Sequence, residues 1–294
     1  MWTNYHCHTD FCDGKRPVAE VVSAAKEQNL LAIGISSHAP LPFPTKWAMK
    51  KTEFPKYLAE IAEARNRTNG IEVYAGLEVD YIPGVISPSD YKNELDYTVG
   101  SVHFVDHFPD GSGWEIDNTF DVFMNGLTTI FKGNIREAVT RYYSLTREMV
   151  STGPPDIVGH MDKIKMHNRG DRFFKEDDAW YKEELDLTLT AISKAGCIIE
   201  VNTRGLYQNK TDTTYPSPWI LKEIAIREIP VTLSSDAHHP DDLTNRFHDI
   251  ARQLKEMGFK KLRILLNGRW QDVTFNDNGL ILPQGRSFGN NKMA

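Results

Sequence analysis

Residues 197–238 read CIIEVNTRGLYQNKTDTTYPSPWILKEIAIREIPVTLSSDAH. Two short runs, 197–203 and 231–238, are rich in Ile and Val and apolar on both faces at their centres, as buried parallel strands are. Between them, residues 217–229 carry apolar side chains at helical spacing. The joints are unequal. The first strand reaches the helix through the long loop RGLYQNKTDTTYPS, whereas the helix returns to the second strand through little more than Glu228–Pro230.

The same unit recurs along the chain. Strands are expected at 2–8, 31–38, 72–80, 97–104 and 156–162, making seven with the two above, and helices at 17–30, 54–68, 136–150 and 184–196. In the first helix Val18, Val21, Val22 and Ala25 mark the apolar stripe. Alternating strands and helices over almost the whole chain predict an α/β barrel or an open doubly wound sheet. Loops leaving strands are long (39–54, 105–120, 163–180, 204–217) and those entering strands are short. Active sites of parallel barrels are built from the long loops, so the working face lies at the C-terminal ends of the strands.

Composition narrows the ligand. The 294 residues are 40% hydrophobic and 25% charged, an ordinary globular balance. One domain spanning 1–294 is expected, with residues 281–294 a mobile tail. The formal net charge of -6 argues against a broad grip on nucleic acid and for a small anionic ligand. Cys7, Cys12 and Cys197 make neither a disulfide framework nor a C-x-x-C pair, which fits a reducing compartment. No run approaches the 18 or so apolar residues of a membrane span, so a cytoplasmic location without a membrane partner is expected. Nothing in the sequence fixes an oligomeric state.

The polar residues at the predicted strand ends converge in kind. His6 and His8 are one residue apart and point to the same side of an extended strand, with Asp13 just beyond. His38, Glu78, His103, His160, the pair Glu200 and Asn202, and finally Asp236 and His238 close the other strands, so six of the ten histidines fall at one end. Imidazoles mixed with carboxylates are the ligand set of Zn, Mn or Fe ions rather than of Ca or a thiolate site. Nine candidate ligands, His6, His8, Asp13, His38, Glu78, His103, His160, Asp236 and His238, exceed the needs of one ion. Two or three divalent ions sharing Glu78 match the count. His107, His239 and His248 are read as structural, and His167 lies in a loop that faces the site.

In order, HCHTDFCDG, SSHAP, GLEVD, GSVHF, GHMD and SSDAH resemble the motifs of the polymerase and histidinol phosphatase (PHP) superfamily. Within it, SSHAPLP, GLEVDYIPG, LDYTVGSVHF followed by GWEID, and EVNTRGLY are similar to the monofunctional histidinol-phosphate phosphatases of histidine biosynthesis. The resemblance implies a distorted TIM-like (β/α)7 barrel. It also implies three ions: one on His6, His8, Glu78 and Asp236, one on Glu78, His103 and His160, and one on Asp13, His38 and His238. One position departs from the family. Where its strand-six motif ends in arginine this chain has Tyr207, leaving Arg204, Lys163 or Arg169 to grip the phosphate.

The activity this implies is hydrolysis of L-histidinol phosphate, with a metal-bridging hydroxide attacking phosphorus in line. His238, Asp13 and His38 are the residues expected to assist the leaving alkoxide. Ser37 and Asn202 are candidate phosphate donors, and Trp114, Glu115 and Asp117 candidate partners of the ammonium and imidazole. The alternative is a related phosphoesterase acting on another small ester or a nucleotide. An amidohydrolase would be expected to have eight strands and a bridging lysine where His103 stands.

Overall fold

The computed structural model describes residues 1–282. In chain order its strands are β1 (Trp2–Asn4), β2 (Leu30–Ile35), β3 (Glu72–Asp80), β4 (Tyr97–Ser101), β5 (Phe104–His107), β6 (Gly113–Glu115), β7 (Ile157–Val158), β8 (Ile198–Asn202), β9 (Val231–Ser234), β10 (Lys261–Leu266), β11 (Arg269–Asn276) and β12 (Gly279–Ile281). The helices are α1 (Val18–Glu27), α2 (Phe54–Arg67), α3 (Phe120–Thr129), α4 (Ile135–Thr152), α5 (Ala179–Ala195), α6 (Arg204–Tyr207), α7 (Pro218–Ile226) and α8 (Phe247–Glu256).

Seven strands form one parallel sheet in the order β1-β2-β3-β4-β7-β8-β9. The sheet curls into a nearly closed barrel, and the closing contact falls on the first histidine pair. Cys7 bridges Ala237 in parallel: the His8 amide donates to the Ala237 carbonyl at 2.8 Å, and the Ala237 amide to the His6 carbonyl at 3.3 Å. On the other side, Ser36 donates to the Cys7 carbonyl at 2.9 Å. The strand expected over 2–8 is therefore regular only through Asn4, and its second half is pinned between the extensions of β2 and β9. The strand expected at 156–162 shortens to two residues, and that at 97–104 stops at Ser101 because Phe104 opens the β5–β6 hairpin.

The barrel interior is layered. Tyr97, Val99 and Ser101 of β4 alternate with residues of the opposite face, and Ser101 reaches Glu78 inside. Tyr97 lies one layer deeper, over Gly76 of β3 and Gly34 of β2, and its hydroxyl donates to the Tyr5 carbonyl at 2.8 Å. The two glycines leave room for that ring.

A three-stranded antiparallel sheet, β10-β11-β12, follows the barrel and was not expected from the sequence. Its first turn is Asn267-Gly268, both at positive φ (53° and 69°), as the tight hairpin turn with right-handed twist requires. The turn caps the end opposite the histidines: Asn267 donates to Glu72 at 2.7 Å and Gly268 to the Tyr74 hydroxyl at 3.1 Å. Of the tail expected over 281–294, Ile281 pairs with Thr274 in β12, and 283–294 lie outside the described residues.

A Cβ added at Gly76 would meet the Tyr97 ring at 2.4 Å. Gly76→Ala is expected to destabilise the fold by about 1–3 kcal/mol through overpacking. The check is a lower urea midpoint at unchanged slope.

Candidate metal centre and active site

Glu78 stands at the centre of the strand-end cluster, 1% exposed. Its two oxygens face different groups. Oε2 lies 3.0 Å from His38 Nδ1, 3.2 Å from His6 Nε2 and 3.5 Å from His8 Nε2. Oε1 lies 2.9 Å from His160 Nε2 and 3.6 Å from His103 Nε2, and accepts the Ser101 hydroxyl at 2.7 Å. Asp236 Oδ1 approaches His8 Nε2 at 3.1 Å and His6 Nε2 at 3.7 Å, while Asp13 Oδ2 meets His238 Nε2 at 3.1 Å.

Ligating atoms gather into adjoining groups: His6, His8 and Asp236; Glu78, His103 and His160; His8, Asp13, His38 and His238. His38, Asp80 and His103 also fall within reach of one another. Among the described residues, the buried Nε2 atoms of His6 and His8, Nδ1 of His38 and Oδ1 of Asp13 have no hydrogen-bond partner. Orphaned polar atoms at such depth are costly. Converging on a shared centre, they have the chemistry of a coordination sphere, and the nitrogen–carboxylate set fits divalent transition ions.

The electrostatics follow from burial and proximity. Burial alone would raise the carboxyls of Glu78 and Asp236, but the neighbouring imidazoles, His6 first, hold both well below their ordinary range. Burial pulls His8 and His38 down to about 4. Burial also opposes charge on His103, yet Asp80 and Asp117 push it up to about 10. His6 is raised in the same way, against burial, by Glu200, Glu78 and Asp236.

The cavity over the cluster measures about 200 Å³. Lys163, Arg204 and Lys210 line it from loops after β7 and β8. Glu115, Asp117 and Asn118 line it from the β5–β6 hairpin and the turn that follows, and Trp47 from the loop after β2. Lys163 sits 3.4 Å from Asp117, and the Trp47 indole donates to Glu115 at 3.2 Å.

Several expected substrate contacts lie elsewhere. Trp114 is fully buried against Phe123 and Phe131, because its strand turns it inward between Glu115 and Gly113. Ser37 is spent on Thr9, whose amide and hydroxyl it meets at 3.2 and 2.9 Å. Asn202 donates to Glu200 at 3.0 Å and Asp236 at 3.3 Å and is fully buried, so it braces the cluster from behind. Arg169 pairs with Asp212 on the surface. Tyr207, at the departing position, donates to the Ser235 carbonyl at 2.9 Å. His167 bonds the Asn118 carbonyl at 3.0 Å and packs on Phe123, outside the cavity lining.

Residues not singled out as acting on the histidines complete the site. Glu200 accepts from His6 Nδ1 at 2.8 Å and Asp80 from His103 Nδ1 at 2.9 Å, each orienting an imidazole. Asp80 lies two residues beyond Glu78 on the same strand, a period-two signal already present in GLEVD.

A family model of the PHP domain matches residues 4–204. The chain belongs to the PHP domain family. It is 28% identical over 264 residues to a protein of Deinococcus radiodurans named "Probable histidinol-phosphatase", covering 86% of this chain and 92% of that one. Against the "Histidinol-phosphatase" of Bacillus subtilis it is again 28% identical over 264 residues, covering 81% and 94%. Its barrel resembles that of the Lactococcus lactis histidinol phosphate phosphatase solved with zinc, L-histidinol and phosphate, at a TM-score of 0.65 and 20% identity over 96% of this chain and 99% of that one.

The charge pattern sets a pH dependence for the metal-free protein. From 6.5 down to about 4 the unfolded chain binds protons on the equivalents of His8 and His38 that the native state refuses, and below about 4.5 on that of Glu78 as well, so stability falls as pH drops. Between 6.5 and about 10 the native state keeps the His103 proton that the unfolded chain loses, so stability also falls as pH rises. Urea midpoints of chelator-treated protein should peak near pH 6.5, where these windows meet.

Proposed function

We propose that this chain is a metal-dependent phosphomonoester hydrolase that converts L-histidinol phosphate and water to L-histidinol and phosphate, a step of histidine biosynthesis. The observation that carries the reading is the division of Glu78 between two imidazole groups, one on each oxygen. His6, His8, Glu78 and Asp236 would hold one ion; Glu78, His103 and His160 a second; Asp13, His38 and His238 a third. Zn, Mn or Fe ions bound there supply Lewis-acid activation of water and neutralise phosphoryl charge.

The chain's own groups divide the remaining work. Lys163 and Arg204, with Lys210 at the rim, present cations to the phosphoryl oxygens, whose charge dominates a loose transition state. Glu115, and Asp117 at 3.4 Å from Lys163, accept from the ammonium and imidazole of the substrate beside the Trp47 ring. This arrangement directs the phosphate toward Arg204 and the lysines and the cationic end toward Glu115 and Trp47. The departing alkoxide oxygen needs a proton or a cation, and Asp13, His38 and His238 are the cavity groups able to supply one or hold the other.

In a panel of histidinol phosphate, a nucleoside monophosphate, a sugar phosphate and a short oligonucleotide, histidinol phosphate should show the highest kcat/KM. Preference for another small ester or a nucleotide would keep the hydrolase and replace the substrate. Activity should vanish on chelation and return with Mn²⁺ or Zn²⁺. Glu78→Ala should lose bound metal by elemental analysis and lower kcat by on the order of a hundredfold or more, since even outer partners of ligands are worth 10–100-fold.

A further inference from the structure

The imidazoles of the cluster are not equally supported from behind. Glu200 backs His6 at 2.8 Å, and its own second oxygen is fixed by the His160 amide at 2.6 Å and Asn202 at 3.0 Å. Asp80 backs His103 at 2.9 Å. Each carboxylate holds a ring proton on Nδ1, so an ion that displaces the Nε2 proton finds that lone pair turned to Glu78.

Among the described residues no carboxylate is hydrogen-bonded behind His38 or Nδ1 of His238. In the groups that share Glu78 the support is partial: His8 Nδ1 lies 3.5 Å from the Cys12 thiol, a weak acceptor, and 3.9 Å from Asp13 Oδ1, and His160 Nδ1 has no hydrogen-bond partner, so those groups are anchored through His6 and His103. Among the described residues the His38 ring makes no hydrogen bond, and Asp13 keeps about a third of its side chain exposed (32%). His238 Nδ1 is 2.6 Å from Arg204 Nη1, which also donates to the Asp236 carbonyl at 2.7 Å; that carbonyl lies 3.1 Å from Nδ1 and accepts its proton once the guanidinium withdraws. A guanidinium only donates, so this contact demands the lone pair on Nδ1 and puts the proton of the neutral ring on Nε2, the atom facing Asp13. Ligation through Nε2 needs the opposite tautomer. An ion at Asp13 and Arg204 in its present contact therefore exclude one another.

We infer that the ligand groups are unequal: those centred on Glu78 hold their ions tightly, whereas the Asp13, His38 and His238 group is a weaker, exchangeable site whose filling is linked to phosphate through Arg204. Arg204 lines the cavity, and a phosphoryl dianion offers it a stronger partner than a neutral imidazole. Drawing the guanidinium away frees His238, so phosphate and the last ion promote each other's binding, and the linkage is reciprocal. The inference rests on the proposed reading that these groups hold divalent ions.

The test is calorimetric titration of the chelator-treated full chain with Mn²⁺, with and without inorganic phosphate. Expected are tight steps followed by one at least about tenfold weaker, the span that outer-ligand support commands, with phosphate tightening the weak step. Arg204→Gln should tighten the weak step without phosphate and erase the phosphate effect, and Glu200→Gln should weaken a tight step. Equal affinities for all ions, a weak step indifferent to phosphate in the wild type, or a weak step lost in Asp80→Asn would overturn the inference while leaving the metal reading intact. Failure to bind Mn²⁺ at all would overturn both.

Discussion

A carboxylate removed from water among five imidazoles is the constraint around which this protein is arranged. Glu78 is buried in the barrel, and an isolated charge there would cost several kcal/mol. Its position inside a parallel strand satisfies the backbone through β2 and β4, leaving the side chain free to be shared. Ser101 from β4 orients one oxygen, and the imidazoles come from β1, β2, β4 and β7 extensions on either side. A slip of β3 by one residue would turn Glu78 out of the barrel and Leu77 in. The register of the sheet and the chemistry of the centre are thus one requirement.

Around that centre the loops bring both charges to the cavity. Cations come from the segments after β7 and β8 and acids from the hairpin after β4, and the two meet where Lys163 lies 3.4 Å from Asp117. The support behind the cluster is graded as well, carboxylates behind His6 and His103, a thiol behind His8, and a competing guanidinium beside His238. Ligand identity alone conveys none of that grading.

Much of the fold was legible because parallel strands buried on both faces leave continuous Val and Ile runs separated by amphipathic helices. The seven strands, their order of function-bearing ends and the nine clustered residues follow from that pattern. The C-terminal sheet carries only a short signal, the Asn-Gly turn between alternating strands in LLNGRW, and a lone meander after seven strand–helix units departs from their period. Trp114 and Trp47 show the converse limit. Both stand in long loops after strands, and which one faces the ligand depends on how the β5–β6 hairpin packs against α3.

The sequence by itself determined the alternating seven-strand α/β pattern and the set of candidate metal-ligating residues, since strand periodicity and residue chemistry are local properties written at each position. Only the tertiary structure decided how Glu78 divides its oxygens, that Ser37 and Asn202 are occupied as braces, and that Arg204 rather than Arg169 reaches the cavity. Those outcomes depend on distances between residues far apart in the chain, and a hydrogen bond or a ligand site exists only where such distances close to within a few ångströms.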